Sequence, residues 1–352
     1  MATDTIRAVR FHGAELGVAI DEVPYPAPGK GEVALRVSAC GLCGSDLHFL
    51  EGMPVPGGVP LTLGHEPAGV VEAIGEGVTA WSPGDRVAIT LGAGCGECPT
   101  CRTGHPNSCP YLVAPGLHID GAWADVMRVP ESTLVRIPDG VSDVAAAVAT
   151  DCVATPYHGL KCRARLQPGE QIAVIGCGGL GTQTIAMARH LGAADIVAVD
   201  VSAAALEHAR AAGATATVLV EPGRDAAAAI MGALGAGVTL AVECVGRPET
   251  VASGIGALVP GGRVLIIGVG MLPLSIGVPQ ALIALWEYSF IGSFGSHKED
   301  LEEVLRLEAA GEIDIESCIS HRLGLDEVPA GLEMLQSKRD DPQRIVMETG
   351  VV

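Results

Sequence analysis

Four cysteines crowd between positions 95 and 109, as Cys95, Cys98, Cys101 and Cys109, in a C-x2-C-x2-C-x7-C run set among Gly and Pro. Thiolates at such spacing close a tetrahedron around Zn2+ and leave no position open, which makes a site that pins a loop rather than one that reacts. An iron–sulfur cluster asks for similar ligands, but the seven-residue gap and the lack of other redox machinery favour zinc. A second set is dispersed. Cys43 lies in Gly41-Leu42-Cys43-Gly44-Ser45-Asp46-Leu47-His48, and His65 in Leu63-Gly64-His65-Glu66-Pro67. One thiolate and one imidazole are two of the three protein ligands that a catalytic zinc needs beside its open position. Taken singly, Cys43 reads equally well as a small core residue and His65 as an ordinary loop histidine. Their company argues for a metal.

A third pattern is the glycine run Gly176-Cys177-Gly178-Gly179-Leu180-Gly181, of the form G-x-G-x-x-G. Gly176 permits a tight turn, Gly178 lets the backbone approach a pyrophosphate, and Gly181 lets helix and strand pack closely. A helix opening at Gly179 and Leu180 aims its free N–H groups at the phosphates. In a chain with 47 glycines the run alone is weak. Asp200 strengthens it, because it ends the next apolar run at the ~20-residue offset where a carboxylate meets the adenosine ribose. A carboxylate there repels the 2′-phosphate of NADP, and no Arg follows before Arg210. The reading is NAD.

These residues need elements to hold them. Up to residue 150 the chain shows short β-branched runs at 32–37, 68–74, 86–91 and 124–129, broken by Pro24, Pro26, Pro28, Gly57-Gly58 and Pro83-Gly84. That texture predicts an antiparallel, barrel-like β domain. Beyond it, apolar runs at 171–176, 195–200, 215–220, 238–245 and 262–268 alternate with Ala-rich stretches of helical length at 182–191, 202–212, 224–234 and 249–258. Such alternation predicts an α/β fold with a parallel, doubly wound sheet. The tail adds a helical stretch at 300–310 and a strand-like run at 344–347.

A chain of 352 residues has room for two domains. Its 22 Lys and Arg against 41 Asp and Glu give a net charge of −19, a field that repels phosphate backbones and argues against nucleic-acid binding. No apolar stretch approaches the ~18–20 residues that span a bilayer, and neither a secretory h-region nor a lipidation motif is present. A soluble, cytoplasmic protein with no membrane partner is expected. Eleven cysteines without an export signal are read as ligands or core residues rather than disulfides. Cys40, Cys162, Cys177, Cys244 and Cys318 are read as small buried residues.

Taken in order, Gly41 to His48, Gly64-His65-Glu66, the four-cysteine loop and the glycine run resemble the zinc-dependent medium-chain alcohol dehydrogenases over essentially the whole chain. The resemblance implies a GroES-like β-barrel catalytic domain at 1–152, a Rossmann NAD-binding domain at 153–292, and a segment at 293–352 that returns to the first. It implies Cys43 and His65 as catalytic zinc ligands and Asp46 as a partner of a ligand. Glu66 becomes a neighbour able to approach the metal when water leaves. The best-known members supply a cysteine as third ligand. Here the stretch 149–158, aligned on Thr155 and Tyr157, puts Asp151 at that position, as in a bacterial secondary-alcohol subgroup, with Cys152 as the alternative. Ser45 and His48 match the family's proton relay, which runs through the nicotinamide ribose to solvent. Arg344 matches an arginine at the cofactor pyrophosphate.

The implied reaction is reversible hydride transfer between an alcohol and NAD in the cleft between domains. Two zinc ions per chain and a homo-oligomer, dimer or tetramer, go with it. Phe49, Trp123 and Phe294 stand at pocket-lining positions, each equally readable as core. No Arg or Lys sits beside the zinc motifs to clamp an acid or a phosphate. A neutral alcohol, preferably secondary, or its ketone or aldehyde is therefore the expected small-molecule substrate. A sorbitol-type polyol dehydrogenase and a non-catalytic relative that keeps the fold are the rival readings.

Overall fold

A computed structural model of the chain describes residues 5–221 and 225–350. Residue 224, the expected start of one helix, lies outside the described residues. The chain forms two compact units, Met1–Ala154 with Gly295–Val352, and Thr155–Phe294.

In the first unit the central strand is Glu32–Leu42, whose Val33, Leu35 and Val37 enter the apolar core with Ile89, Met127 and Ile345. It pairs with Glu66–Ile74, and also with Val126–Pro130 and Arg344–Glu348. The sheet continues outward through Arg86–Ile89 and Leu134–Arg136 on one side and Ile319–Leu323 on the other. The strands of the first 150 residues pair antiparallel as expected, and in the returning tail Ile319–Leu323 runs parallel to Arg344–Glu348. Parallel neighbours need a crossover, and the helix Val328–Ser337 lies between them in the chain.

The residues of interest fall at the ends of these elements. Glu32–Leu42 runs directly into Cys43, which caps the helix Gly44–Leu50. Glu66 opens its own strand opposite Gly41, and Val346 pairs with Gly41 in the C-terminal strand. Asp151 lies in a π-helical turn, Ala149–Val153, that follows the helix Asp143–Val148. Such widened turns re-aim side chains and recur at functional sites.

In the second unit six parallel strands stand in the order Ala216–Leu219, Asp195–Asp200, Gln171–Ile175, Val238–Glu243, Leu258–Ile266 and Ser289–Gly292. Numbered along the chain this is 3-2-1-4-5-6, with the order reversing beside Gln171–Ile175, where open α/β sheets bind ligands. Ile172, Ala173 and Val174 are consecutively buried, as strands covered on both faces must be. The helix expected from 182 begins at Gly179, because the glycine run is its first turn. The strand Ser289–Gly292 and the helix Gln280–Leu285 were not foreseen. Of the cysteines read as buried, Cys162 is exposed and Cys244 half-buried; Cys40, Cys177 and Cys318 are buried. No helix among the described residues is long and apolar enough to cross a membrane.

One polar tie in this unit is strong enough to test. Arg263 donates to both carboxylate oxygens of Glu170, at 2.8 and 2.7 Å, and to Ala164 O at 2.7 Å. Burial pushes the Glu170 carboxyl up, but the Arg263 guanidinium and the Gln167 N–H overcome it and hold the carboxyl at about 2. A carboxyl depressed in the fold stabilises above its ordinary value of ~4.3, and that stabilisation is lost as pH falls through about 2. Glu170→Gln should cost about 2 kcal/mol at pH 7. The gap from wild type, read as urea midpoints, should narrow between pH 5 and 3. A gap constant across that window would show the pair to be unimportant.

Candidate active site and metal centres

Asp46 organises the dispersed set. One of its carboxylate oxygens accepts from the backbone N–H of Cys43 at 2.9 Å, closing the first turn of the Gly44–Leu50 helix. The other lies 3.2 Å from Nδ1 of His65. A fully buried carboxylate thus fixes the cysteine's backbone and the histidine's ring together. On the ring's far side, Nε2 lies 3.8 Å from Asp151 Oδ2 and 3.1 Å from Ser45 Oγ. Cys43 Sγ is 3.9 Å from the same Asp151 oxygen. Cys43, His65, Glu66 and Asp151 each offer a ligand atom within 4.8 Å of the others.

A tetrahedral zinc with ordinary bond lengths separates N from O by about 3.4 Å and S from O by about 3.6 Å, so the spacing is within a few tenths of an ångström of a metal site. The charge fits as well. Burial would lower the His65 pKa, but the charge of Asp46, with hydrogen bonds to Asp151, Asp46 and Cys43, holds it well above its ordinary value. Surroundings that stabilise an imidazolium against burial stabilise a cation at that place. One thiolate, one carboxylate and a neutral imidazole leave a bound Zn2+ formally neutral.

Cys152, the alternative third ligand, is buried outside this group. Burial pushes its thiol well above the usual range. The π turn brings Asp151 to the group.

Glu66 is fully buried, and Oε2 is held by Arg344 Nη2. Gly41 makes room for this pair: a Cβ there would stand 1.8 Å from Glu66 Oε2 and 3.0 Å from Arg344 Nη2. Burial pushes the Glu66 carboxyl up, against the pull of Arg344. Oε1 has no hydrogen-bond partner among the described residues. Arg344, expected at the cofactor pyrophosphate, is buried inside the first unit and paired with Glu66. The partners are 278 residues apart, and the sole hint was an arginine opening an apolar strand. His48 has a side chain 37% exposed, with Nδ1 3.7 Å from Glu51 Oε2. Phe49 and Trp123 belong to the apolar core, whereas Phe294 is 41% exposed.

The second centre is compact. Cys95 Sγ lies 4.0 Å from Cys101 Sγ, and Cys98 Sγ lies 3.8 Å from Cys109 Sγ. With Zn–S bonds of 2.3 Å a tetrahedron has edges of about 3.8 Å. The backbone N–H groups of Cys98 and Cys101 donate to Cys95 and Cys98 sulfurs at 3.4 Å, and that of Tyr111 donates to Cys109 at 3.3 Å. Backbone donors from Cys98 and Glu97 bring the Cys95 thiol down to about 6, whereas desolvation and the neighbouring thiols push that of Cys101 up to about 12. The four sulfurs stand at the spacing of a closed tetrahedral site.

In the second unit Gly176 has φ +90°, and a Cβ on Gly181 would stand 1.8 Å from Gly176 O. Above Gly178, the cap of the helix Gly179–His190, a Cβ would meet nothing within 4 Å. The turn is tight where it must fold and open where a pyrophosphate must approach. Asp200 ends its strand beside it, accepting from Cys177 N at 2.7 Å and Ser202 N at 2.8 Å.

Because Asp46 orients His65, Asp46→Asn should weaken metal binding or activity by about 10- to 100-fold, the usual effect of losing such a partner. Equilibrium zinc competition against a chelator measures it. Unchanged affinity would leave Asp46 as a helix cap alone.

The chain matches the family described as alcohol dehydrogenase GroES-like domain over residues 29–139, and zinc-binding dehydrogenase over residues 179–310. It is 32% identical over 348 residues to a probable zinc-binding alcohol dehydrogenase of Mycobacterium tuberculosis, covering 97% of this chain and 88% of that one. Sorbitol dehydrogenase of Bacillus subtilis is 31% identical, with 92% of each chain covered. Among solved structures, a zinc-binding dehydrogenase of Sinorhizobium meliloti bound to NADP superposes with a TM-score of 0.89 at 31% identity, over 98% of this chain and all of that one.

Proposed function

This chain belongs to the zinc-dependent medium-chain alcohol dehydrogenase family, and on that premise we propose that it interconverts a neutral secondary alcohol and its ketone with NAD(H) at a zinc held by Cys43, His65 and Asp151. The observation that carries the site is the meeting of those three ligand atoms, from distant parts of the sequence, within 4.8 Å. Bound there, zinc supplies the Lewis acidity that makes a hydroxyl proton easy to lose near neutral pH. The other groups act around it. Asp46 holds the His65 ring with Nε2 turned to the group. Ser45 places a hydroxyl on that same face, where it can take the substrate's proton. His48, part exposed, is the last group of the relay to water, which the nicotinamide ribose hydroxyl would join to Ser45 when the cofactor is bound. Glu66 keeps one carboxylate oxygen beside the ligands while Arg344 balances its charge. The four cysteines hold the second ion. Gly176, Gly178, Gly179, Leu180 and Gly181 form the pyrophosphate cradle, and Asp200 favours NAD over NADP.

The neutral substrate follows from charge. Arg344, the cation beside Glu66, is engaged by that carboxylate, and an acidic substrate would meet Glu66 and Asp151. Steady-state assays with NAD on secondary alcohols, primary alcohols, sorbitol and threonine test this. Secondary alcohols should give the highest kcat/KM. A tenfold or greater preference for the polyol would replace this reading with a sorbitol-type one, for which the 31% identity to sorbitol dehydrogenase speaks. The proposed assembly is a homo-oligomer.

A further inference from the structure

Residues 109–123 lead from the four-cysteine loop to the peptide that carries His65, and backbone contacts fasten them at both ends. At the start, Leu112 N donates to Cys109 O at 3.0 Å, and Val113 and Ala93 exchange both backbone hydrogen bonds at 3.0 and 3.1 Å, two residues before Cys95. At the far end, Gly121, Ala122 and Trp123 donate to the carbonyls of Thr62, Gly64 and Leu63 at 2.8, 2.9 and 3.0 Å.

Between these anchors three glycines touch. A Cβ on Gly116 would stand 2.8 Å from Gly64 O. One on Gly121 would stand 2.4 Å from the same oxygen and 2.7 Å from Gly116 Cα, and one on Gly64 would stand 2.5 Å from the Trp123 ring. Gly64 and Gly116 also have φ of +91° and +76°. The Gly64 carbonyl belongs to the peptide bond that begins His65, so whatever moves it moves the imidazole. No flexible side chain stands between the glycine backbones to absorb a displacement, and close-packed interiors transmit such strain.

We propose that residues 109–123 are a strap that positions His65, so that the ion in the four-cysteine loop and the ion at Cys43, His65 and Asp151 bind cooperatively. The inference rests on the reading of His65 as a ligand. The strap needs its first end tied down, and the closed metal site ties it. Coupling of this kind is reciprocal: each ion raises the affinity for the other by the same factor.

The test reads metal binding, not turnover. The open site is stripped by dialysis against chelator and titrated with Co2+, followed by its visible spectrum. Cys98→Ser, which empties the closed site, should weaken Co2+ binding at the open site about tenfold, within the usual range of such couplings. Should that variant fail to fold, Gly121→Ala keeps all four cysteines. It should retain one zinc, weaken Co2+ binding comparably and shift the spectrum. Gly75→Ala crowds Gly29 O in the same unit, with a Cβ at 1.7 Å, and should lower Tm while leaving Co2+ affinity unchanged. Folded Cys98→Ser and Gly121→Ala proteins with wild-type Co2+ affinity and spectrum would overturn the strap. His65→Ala separates the two ideas: if it too kept wild-type affinity, the ligand assignment would be the part that fails.

Discussion

Asp151→Asn is expected to lower kcat/KM by about a thousandfold or more, some 4 kcal/mol of transition-state stabilisation, and to remove one of two zinc ions per chain. The amide keeps the shape of the carboxylate but not its charge. It leaves one thiolate to balance a divalent ion in a buried group whose other ligand is a neutral imidazole. Cys152→Ser, one residue away, should retain both ions and most of the activity, since that thiol lies outside the group. Metal analysis and kinetics on the same preparations decide it. If the serine variant lost the ion and the asparagine variant kept it, the third ligand would be Cys152 and the π turn would aim the other way in solution.

A second large effect is expected at Asp200. Asp200→Gly should shift the ratio of NAD to NADP affinity by about a hundredfold toward NADP, about 2.7 kcal/mol. The carboxylate can accept from the adenosine ribose, and it repels a 2′-phosphate. It also holds the turn, through Cys177 N and Ser202 N, so both cofactors should lose some affinity while NAD loses more. Fluorescence titration with each dinucleotide measures the ratio. Wild-type protein that already bound NADP as tightly as NAD would refute the assignment before any variant was made.

What could be read in advance was whatever is written over short spans. The glycine run carries its conformational demands in its own residues, and the four cysteines carry theirs. The alternation of strand and helix beyond residue 170 reappears with shifts of a few residues, the helix start at Gly179 being one. What was hidden depended on distant or backbone-level events. The ion pair of Arg344 with Glu66 joins opposite parts of the sequence, and the parallel pairing of Ile319–Leu323 with Arg344–Glu348 arises from a crossover. The π turn leaves no mark in residue type, yet it brings Asp151 to the group. Phe49 and Trp123 illustrate the same gap, since an aromatic near a motif fits a pocket or a core equally well until its surroundings are known.

The pairing of Glu66 with Arg344 also bears on how the protein matures. On the ribosome the four-cysteine loop is complete once residue 109 has emerged, and the three proposed ligands of the open site once residue 151 has. The cation that neutralises Glu66 arrives only with the last strand. Until then an acidic side chain destined for burial lies beside an incomplete ion site without its counterweight, and a passing divalent ion would be drawn there early. Nascent chains should therefore load the cysteine loop first and seat the reactive ion in its final setting only after Arg344 has emerged.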